Sequence, residues 1–393
     1  LSIVVGAGLT ALADLGSRTV FGMGGEIPLG VVTAVLGAPC FVWLIRGHSK
    51  EQLDGGTPAS PAPRTHRYPR RVLPLLISVL LLVTVGAVEF GGYAHLSVGK
   101  AMKVLLGYGG SIEEHLVLWS FRLPRIAFAL LVGGGIAVSG AVIQGVFRND
   151  LAEPGILGIS AGASLGMVLS LGALGHAVLR STFVLPVAAI GGALAAVIFV
   201  CVLCLDAHHS SPRLLLTGVA VSAALSALTL FISLQISSEA YSFAVAFSAG
   251  SLSAADWNYV LALAVWLGLL IPLVWSFAPV LNVLRLGEHS ATGLGVRVAA
   301  CSFVLLALAV AVCASCMALA GGLLFIGLIA PHVARRLVGS DHGAVIPAAG
   351  LVGSTLLVLA DLLAGRIMPS AEIPAGVMVS ILGAPYFLYL LRR

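Results

Sequence analysis

The chain has 393 residues, of which 59% are hydrophobic and only 9% charged, with a formal net charge of +5. Soluble domains carry about 25% charged residues; this composition, with a mean hydropathy of +1.08, excludes one and predicts an all-α polytopic membrane protein. The positive excess requires no nucleic-acid partner, because basic residues gather on the cytoplasmic side of membrane proteins.

In chain order, residues 1–13 form a partial apolar span and 27–45 a whole one. Segment 47–71 is polar and rich in Pro, Gly and Arg, and reads as a flexible cytoplasmic linker. A membrane-spanning helix needs about 20 mostly apolar residues. Beyond the linker such stretches lie at 72–93, 122–146, 154–172, 183–205 and 213–235. Five more follow at 257–278, 298–318, 321–338, 344–364 and 373–391, giving ten spans. With the linker inside, Arg46, Lys50, Arg64, Arg67, Arg70, Arg71, Arg148, Arg213, Arg285, Arg297, Arg335, Arg336, Arg392 and Arg393 all lie inside. They outnumber Arg18, Lys100, Lys103, Arg122, Arg125, Arg180 and Arg366 outside, which places the C-terminus in the cytoplasm.

One stretch occurs twice. Glu26-Ile27-Pro28 through Gly37-Ala38-Pro39 is matched by Glu372-Ile373-Pro374 through Gly383-Ala384-Pro385, inside longer copies at 12–46 and 359–392. Residues 1–46 therefore read as the tail of an upstream homologous unit, 47–71 as a linker, and 72–393 as one complete unit.

Several chemistries can be weighed against the motifs. Cys201/Cys204 and Cys313/Cys316 have the Cys-x-x-Cys spacing of metal or redox sites, but each pair sits inside an apolar run. There cysteine packs as a small hydrophobe, so no metal is expected. Gly158, Gly162 and Gly166 share one helix face and allow a neighbouring backbone to approach. Gly158-Ile159-Ser160-Ala161-Gly162 also fits the nucleophile-elbow pattern, which needs a strand–turn–helix context that an apolar helix does not supply. No P-loop is present, so ATP is not hydrolysed by that route on this chain. Ionisable groups are scarce at mid-membrane, with Glu153, Asp361 and Glu372 near span ends, which speaks against ion-coupled transport. An external energy source directs attention to the inside loop at 279–296. Gly287 can break one short helix and Glu288 can open a second, making either a lever for a cytoplasmic partner or an ordinary loop.

The chain resembles the permease subunits of the FecCD family, type II ABC importers of iron–siderophore complexes, haem and vitamin B12. The resemblance is carried by Arg122-Leu123-Pro124-Arg125, SGAVIQGVFRNDLAEPGILGISAGA at 139–163, and Leu216-Thr217-Gly218-Val219-Ala220. It continues through Ala249-Gly250-Ser251-Leu252, Trp257, LNVLRLGEHSATGLGV at 281–296, GGLLFIGLIAPHVARRLVGSDH at 321–342 and the Glu372-to-Pro385 block. It covers about 72–393, and residues 1–46 resemble the family's final two spans.

The resemblance implies a ten-span bundle working in pairs with a second permease half, fused or identical, in a bacterial cytoplasmic membrane. Separate cytoplasmic ATPase subunits would bind ATP and Mg, leaving this chain a transport subunit without a cofactor. They would grip a coupling loop containing Leu284, Arg285, Leu286, Gly287, Glu288 and His289. An extracytoplasmic binding protein would dock through glutamates on Arg122 and Arg125. Gly365 stands where the family's third docking arginine is expected, with Arg366 one residue later. The bare alternative for Arg122 and Arg125 is an interfacial arginine that snorkels. Pro331-His332 with Arg335-Arg336 would either touch the ATPase or anchor a span. Gln144 and Asn149 would either close an inner gate or bond a helix end. The expected cargo is an iron(III)–siderophore complex, with haem and cobalamin as alternatives.

Overall fold

The computed structural model describes residues 69–90, 97–108, 111–175, 184–203, 211–253, 255–367 and 373–391. The spans expected at 1–13 and 27–45, and nearly all of the linker, lie outside the described residues. Among the described residues the regular structure is entirely helical. The described residues divide into two compact units, one within 155–248 and the other within 69–154 and 249–391.

In the first unit the described helices are α5 (Ile159–Leu174), α6 (Val184–Leu203), α7 (Ser211–Ser233) and α8 (Ser238–Ser248). Lipid is as apolar as leucine, so helices in it associate by close packing rather than by escaping water. The glycine face of α5 does this. A Cβ on Gly162 or Gly166 would clash with the carbonyl oxygens of Gly192 or Ala188 on α6, and one on Gly192 with that of Gly162. The two backbones are in direct contact.

The second unit contains α1 (Pro69–Phe90), α2 (Val98–Leu105) and α3 (Ile112–Leu116), which runs through a π-helical turn at Val117–Arg122 into α4 (Leu123–Phe147). It resumes with α9 (Trp257–Ser276), α10 (Ala278–Leu284), α11 (Glu288–Gly293) and α12 (Val298–Ala320). α13 (Ile326–Val338), α14 (His342–Ile367) and α15 (Ala375–Leu391) complete it. α4 is buried from Val132 to Gly145 without a break. Its glycines make that possible: a Cβ on Gly133 would lie 2.5 Å from the Gly353 oxygen of α14, and one on Gly140 would overlap the Gly327 backbone of α13. Gly135 faces the Cys316 sulfur of α12 in the same way. Two hydroxyls stitch the hub further, Ser139 to the Ala309 carbonyl at 2.8 Å and Ser354 to the Leu130 carbonyl at 2.6 Å. Phe303 (72% exposed) and Leu82 (73%) show the opposite face of the design, large apolar groups turned outward to lipid.

Seven described helices are long and apolar enough to cross a membrane, α3 and α4 counting as one continuous segment of 36 residues. The stretches expected at 154–172, 321–338 and 373–391 form shorter helices of 16, 13 and 17 residues. Their late starts have local causes. Gly158 takes a left-handed conformation (φ +83°) after a 3₁₀ turn at Pro154–Leu157. Phe325 does the same (φ +67°) after the non-helical Gly321–Leu324 segment. α2 and α8 occupy segments that the hydropathy pattern assigns to loops. Cys313 and Cys316 are buried in α12, and among the described residues no His, Cys, Asp and Glu group gathers in a way that would hold a metal.

Replacing Gly140 with Val should lower the Tm of detergent-solubilised protein strongly, since overpacking costs about 1–3 kcal/mol and here meets backbone. Gly191→Ala, whose added carbon meets nothing within 4 Å, should leave the Tm unchanged.

Candidate functional site

α10 and α11 carry Asn282, Glu288 and His289, with Arg285 in the turn between them. α9 ends at Ser276, and Pro279 stands in the first turn of α10 where its missing N–H costs nothing. Gly287, at φ +100°, then breaks the path in a conformation that disfavours any side chain. Glu288 opens α11 in the first turn, where its charge suits the helix dipole. The result is two short helices joined by a three-residue turn, Arg285-Leu286-Gly287.

The six residues expected to form the coupling loop divide by exposure. Leu284 is buried, and Arg285 donates from Nη1 to the Ser340 carbonyl at 3.3 Å. Leu286 (62% exposed), Glu288 and His289 face outward, Leu286 being the apolar tip of the turn. Glu288 lies 3.7 Å from Arg148, which ends α4 in a left-handed conformation (φ 51°). Both of these side chains are well exposed, so the pair is worth at most about 1 kcal/mol.

Beneath the tip lies a tie with little local signature in the sequence. Asn282 donates from Nδ2 to the Asp341 carboxylate at 2.6 Å, and its Oδ1 accepts the His342 backbone N–H at 2.9 Å. The same Oδ1 lies 2.8 Å from His342 Nδ1, which therefore carries the ring proton. His342 is fully buried, and its Nε2 faces Gly145 so closely that a Cβ there would sit 2.8 Å away. The only signal in the sequence is a polar trio, Ser340-Asp341-His342, between two apolar segments.

Gln144, expected at an inner gate, is buried at the end of α4. Its amide Nε2 donates to the Gly327 and Leu328 carbonyls at 3.3 Å each, and Oε1 accepts from Arg335. Arg335 also pairs with Asp150 at 3.3 Å and is only 10% exposed, so it ties α13 to the end of α4 instead of standing on the surface. Asn149 accepts the Leu151 N–H at 2.9 Å and shapes the turn leaving α4. His332 packs edge-on against Tyr386, with ring centroids 5.9 Å apart. In the segment between α4 and the 3₁₀ turn, the buried Glu153 carboxylate accepts the Phe325 N–H, holding the left-handed residue before α13.

The three arginines expected to dock a binding protein are placed differently from one another. Arg122 is 6% exposed and donates to the Val88 carbonyl of α1. Arg125 grips Asp361 of α14 through two donors, Nε at 3.0 Å and Nη2 at 2.9 Å. Arg366 is exposed in the last turn of α14. Ser160, of the nucleophile-like pattern, sits in the first turn of α5 after a 3₁₀ turn rather than on a strand–turn–helix elbow.

The FecCD transport family matches residues 1–47 and 75–393. An iron(3+)-hydroxamate import system permease of Bacillus subtilis is 42% identical over 324 residues, covering 81% of this chain and 96% of that protein. An Fe(3+) dicitrate transport system permease of Escherichia coli is 41% identical over 281 residues, covering 72% and 86%. A solved inward-facing metal-chelate type ABC transporter superposes with a TM-score of 0.71 at 30% identity, covering 82% of this chain and 99% of that one. The chain belongs to the FecCD transport family, and is a multi-pass membrane transport subunit rather than an enzyme.

Burial pushes the Glu153 carboxyl up to about 7, against the opposing pull of the Phe325 N–H. The folded protein then keeps a proton that the unfolded chain sheds near 4.5. The resulting stability is full below that value and lost as pH rises through about 7. Tm measured from about pH 5 to 8 should fall for the wild type relative to Glu153→Gln, which does not titrate.

Proposed function

We propose that this chain is the permease of an ATP-driven importer that carries an iron(III)–siderophore complex across the bacterial cytoplasmic membrane. The observation that carries the reading is the α10–α11 pair, which presents Leu286, Glu288 and His289 outward while Leu281, Leu284 and Asn282 hold it to the bundle. An apolar tip on a rigid, well-anchored base suits a surface that must take force from a partner. That partner is a pair of cytoplasmic ATPase subunits, which bind the ATP and Mg that drive alternating access, so no cofactor resides on this chain. The C-terminus is then cytoplasmic, in keeping with the arginine bias.

At the other end, an extracytoplasmic binding protein docks on Arg366 of α14 and the accessible part of Arg125 of α4, while buried Arg122 fixes the start of α4. Residues 1–46 are the end of a second copy of the same unit, joined by the linker at 47–71, which supports a permease pair of like halves. The siderophore cargo is supported by the names of the hydroxamate and dicitrate relatives.

Cells carrying the gene should take up radiolabelled iron(III)–hydroxamate faster than cells lacking it, with no gain for haem or cobalamin. Uptake should stop on ATP depletion and persist when the proton gradient is collapsed. A gain for haem or cobalamin alone would replace the cargo, and uptake that follows the proton gradient would sink the ATP-driven reading. Arg366→Glu should weaken binding-protein docking about two- to fivefold, the worth of one exposed ion pair, with the deficit shrinking at high salt.

A further inference from the structure

The load path from the α10–α11 tip into the bundle is set by which of its bonds are short and directional. The Arg148–Glu288 pair is long and exposed, at 3.7 Å. Arg285 reaches only a backbone oxygen at 3.3 Å. Among the described residues of the lever, Asn282 alone makes several short side-chain bonds to the bundle, at 2.6, 2.8 and 2.9 Å, and all run to Asp341 and His342 at the start of α14. Asp341 precedes α14 and caps it, accepting the Gly343 N–H at 3.2 Å, so a pull on its carboxylate acts on the helix start. Trp275, at the end of α9, adds a bond to the Gly343 carbonyl at 2.9 Å in the same turn.

α14 is suited to carry what it receives. It is a continuous helix of 26 residues, about 39 Å long at 1.5 Å per residue. Along its middle it touches α4 backbone to backbone at Gly133 and Gly353. Near its far end Asp361 holds Arg125 of α4 with two charge-assisted bonds. At its near end His342 is wedged between Asn282 and Gly145 of α4. The two helices are thus joined at both ends and between.

We propose that Asn282 is a positioning residue that clamps the α10–α11 lever to the start of α14, so that lever motion is delivered to the joined α14–α4 pair. This rests on the reading of α10–α11 as the ATPase contact. The side-chain chemistry allows a test that separates the clamp from general stability, because the Asn282–Asp341 pair can be exchanged. N282D sets two carboxylates face to face. N282D/D341N restores one amide donor opposite one carboxylate, keeps an acceptor for the His342 N–H, and leaves a good helix cap at 341. N282A removes all three bonds and adds no charge.

The measurement is made on the whole complex, permease with its ATPase subunits in proteoliposomes and its binding protein loaded with iron(III)–hydroxamate. The quantity read is ATP hydrolysed per chelate imported. N282D and N282A should raise that ratio about fivefold or more, the lower end of ordinary coupling between sites, and N282D/D341N should return it to near the wild-type value. If N282D fails to assemble, the ratio in N282A and in the exchanged pair decides the matter. An unchanged ratio in N282A, or no recovery in the exchanged pair, overturns the clamp while leaving the importer reading intact. A wild-type complex in which loaded binding protein stimulates no hydrolysis overturns the importer reading, and the clamp with it.

Discussion

Backbone-to-backbone contact along α4 is the constraint on which the second unit depends. In lipid there is no water to expel from between helices, so attraction comes from dispersion and short polar bonds, both of which fall off steeply with distance. Gly133, Gly135 and Gly140 bring α14, α12 and α13 within that range, and Ser139 and Ser354 use the proximity to reach carbonyls on the opposite helix. A β-carbon at Gly140 would separate α4 from α13 and weaken the ties at the inner end, where Gln144 reaches the Gly327 and Leu328 carbonyls. Glycine content here is a requirement of assembly rather than a source of flexibility.

Packing of this kind also explains why so few charges are needed. The described ion pairs of the second unit sit near helix ends: Arg125 with Asp361, Arg335 with Asp150, Arg148 with Glu288, and Lys100 with Glu114. Between those ends the side chains facing α4 are apolar, small or hydroxyl-bearing. A charge at mid-membrane would demand a partner or a water-filled cavity. Placing the ion pairs at the ends fixes helix register where solvation is available, and leaves the middle free to pack on shape alone.

Much of the fold was legible because hydropathy and glycine spacing are local signals. The long helices at 69–90, 184–203, 257–276, 298–320 and 342–367 fall where apolar length places them, and Gly162 and Gly166 meet α6 as their spacing implies. The break at Gly287 and the start of α11 at Glu288 were likewise readable from turn and dipole chemistry. Helix starts were less legible. The left-handed turns at Gly158 and Phe325 delay α5 and α13 inside stretches whose composition is uniformly apolar. Phe325 gives no local warning, since its conformation is held by Glu153 from 172 positions away. The same distance problem hides the site. Asn282 lies in the loop that Gly287 marks, yet its partners Asp341 and His342 are about 60 residues on, and nothing in either stretch names the other.

Arg122 and Arg125 show how one residue type serves two ends of an argument. Read alone, two arginines at a span terminus mark either an interface for a partner or a membrane anchor. In the folded chain Arg122 is spent on the Val88 carbonyl and Arg125 on Asp361, so both hold α4 against neighbouring helices. An arginine presents five donors in a planar fork, and Asp361 engages one edge of it. Arg125 retains 32% side-chain exposure beside Asp361. Any acidic group that engages it from outside competes with Asp361 for the same cation, and so acts directly on the bond that fastens the far end of α14 to α4.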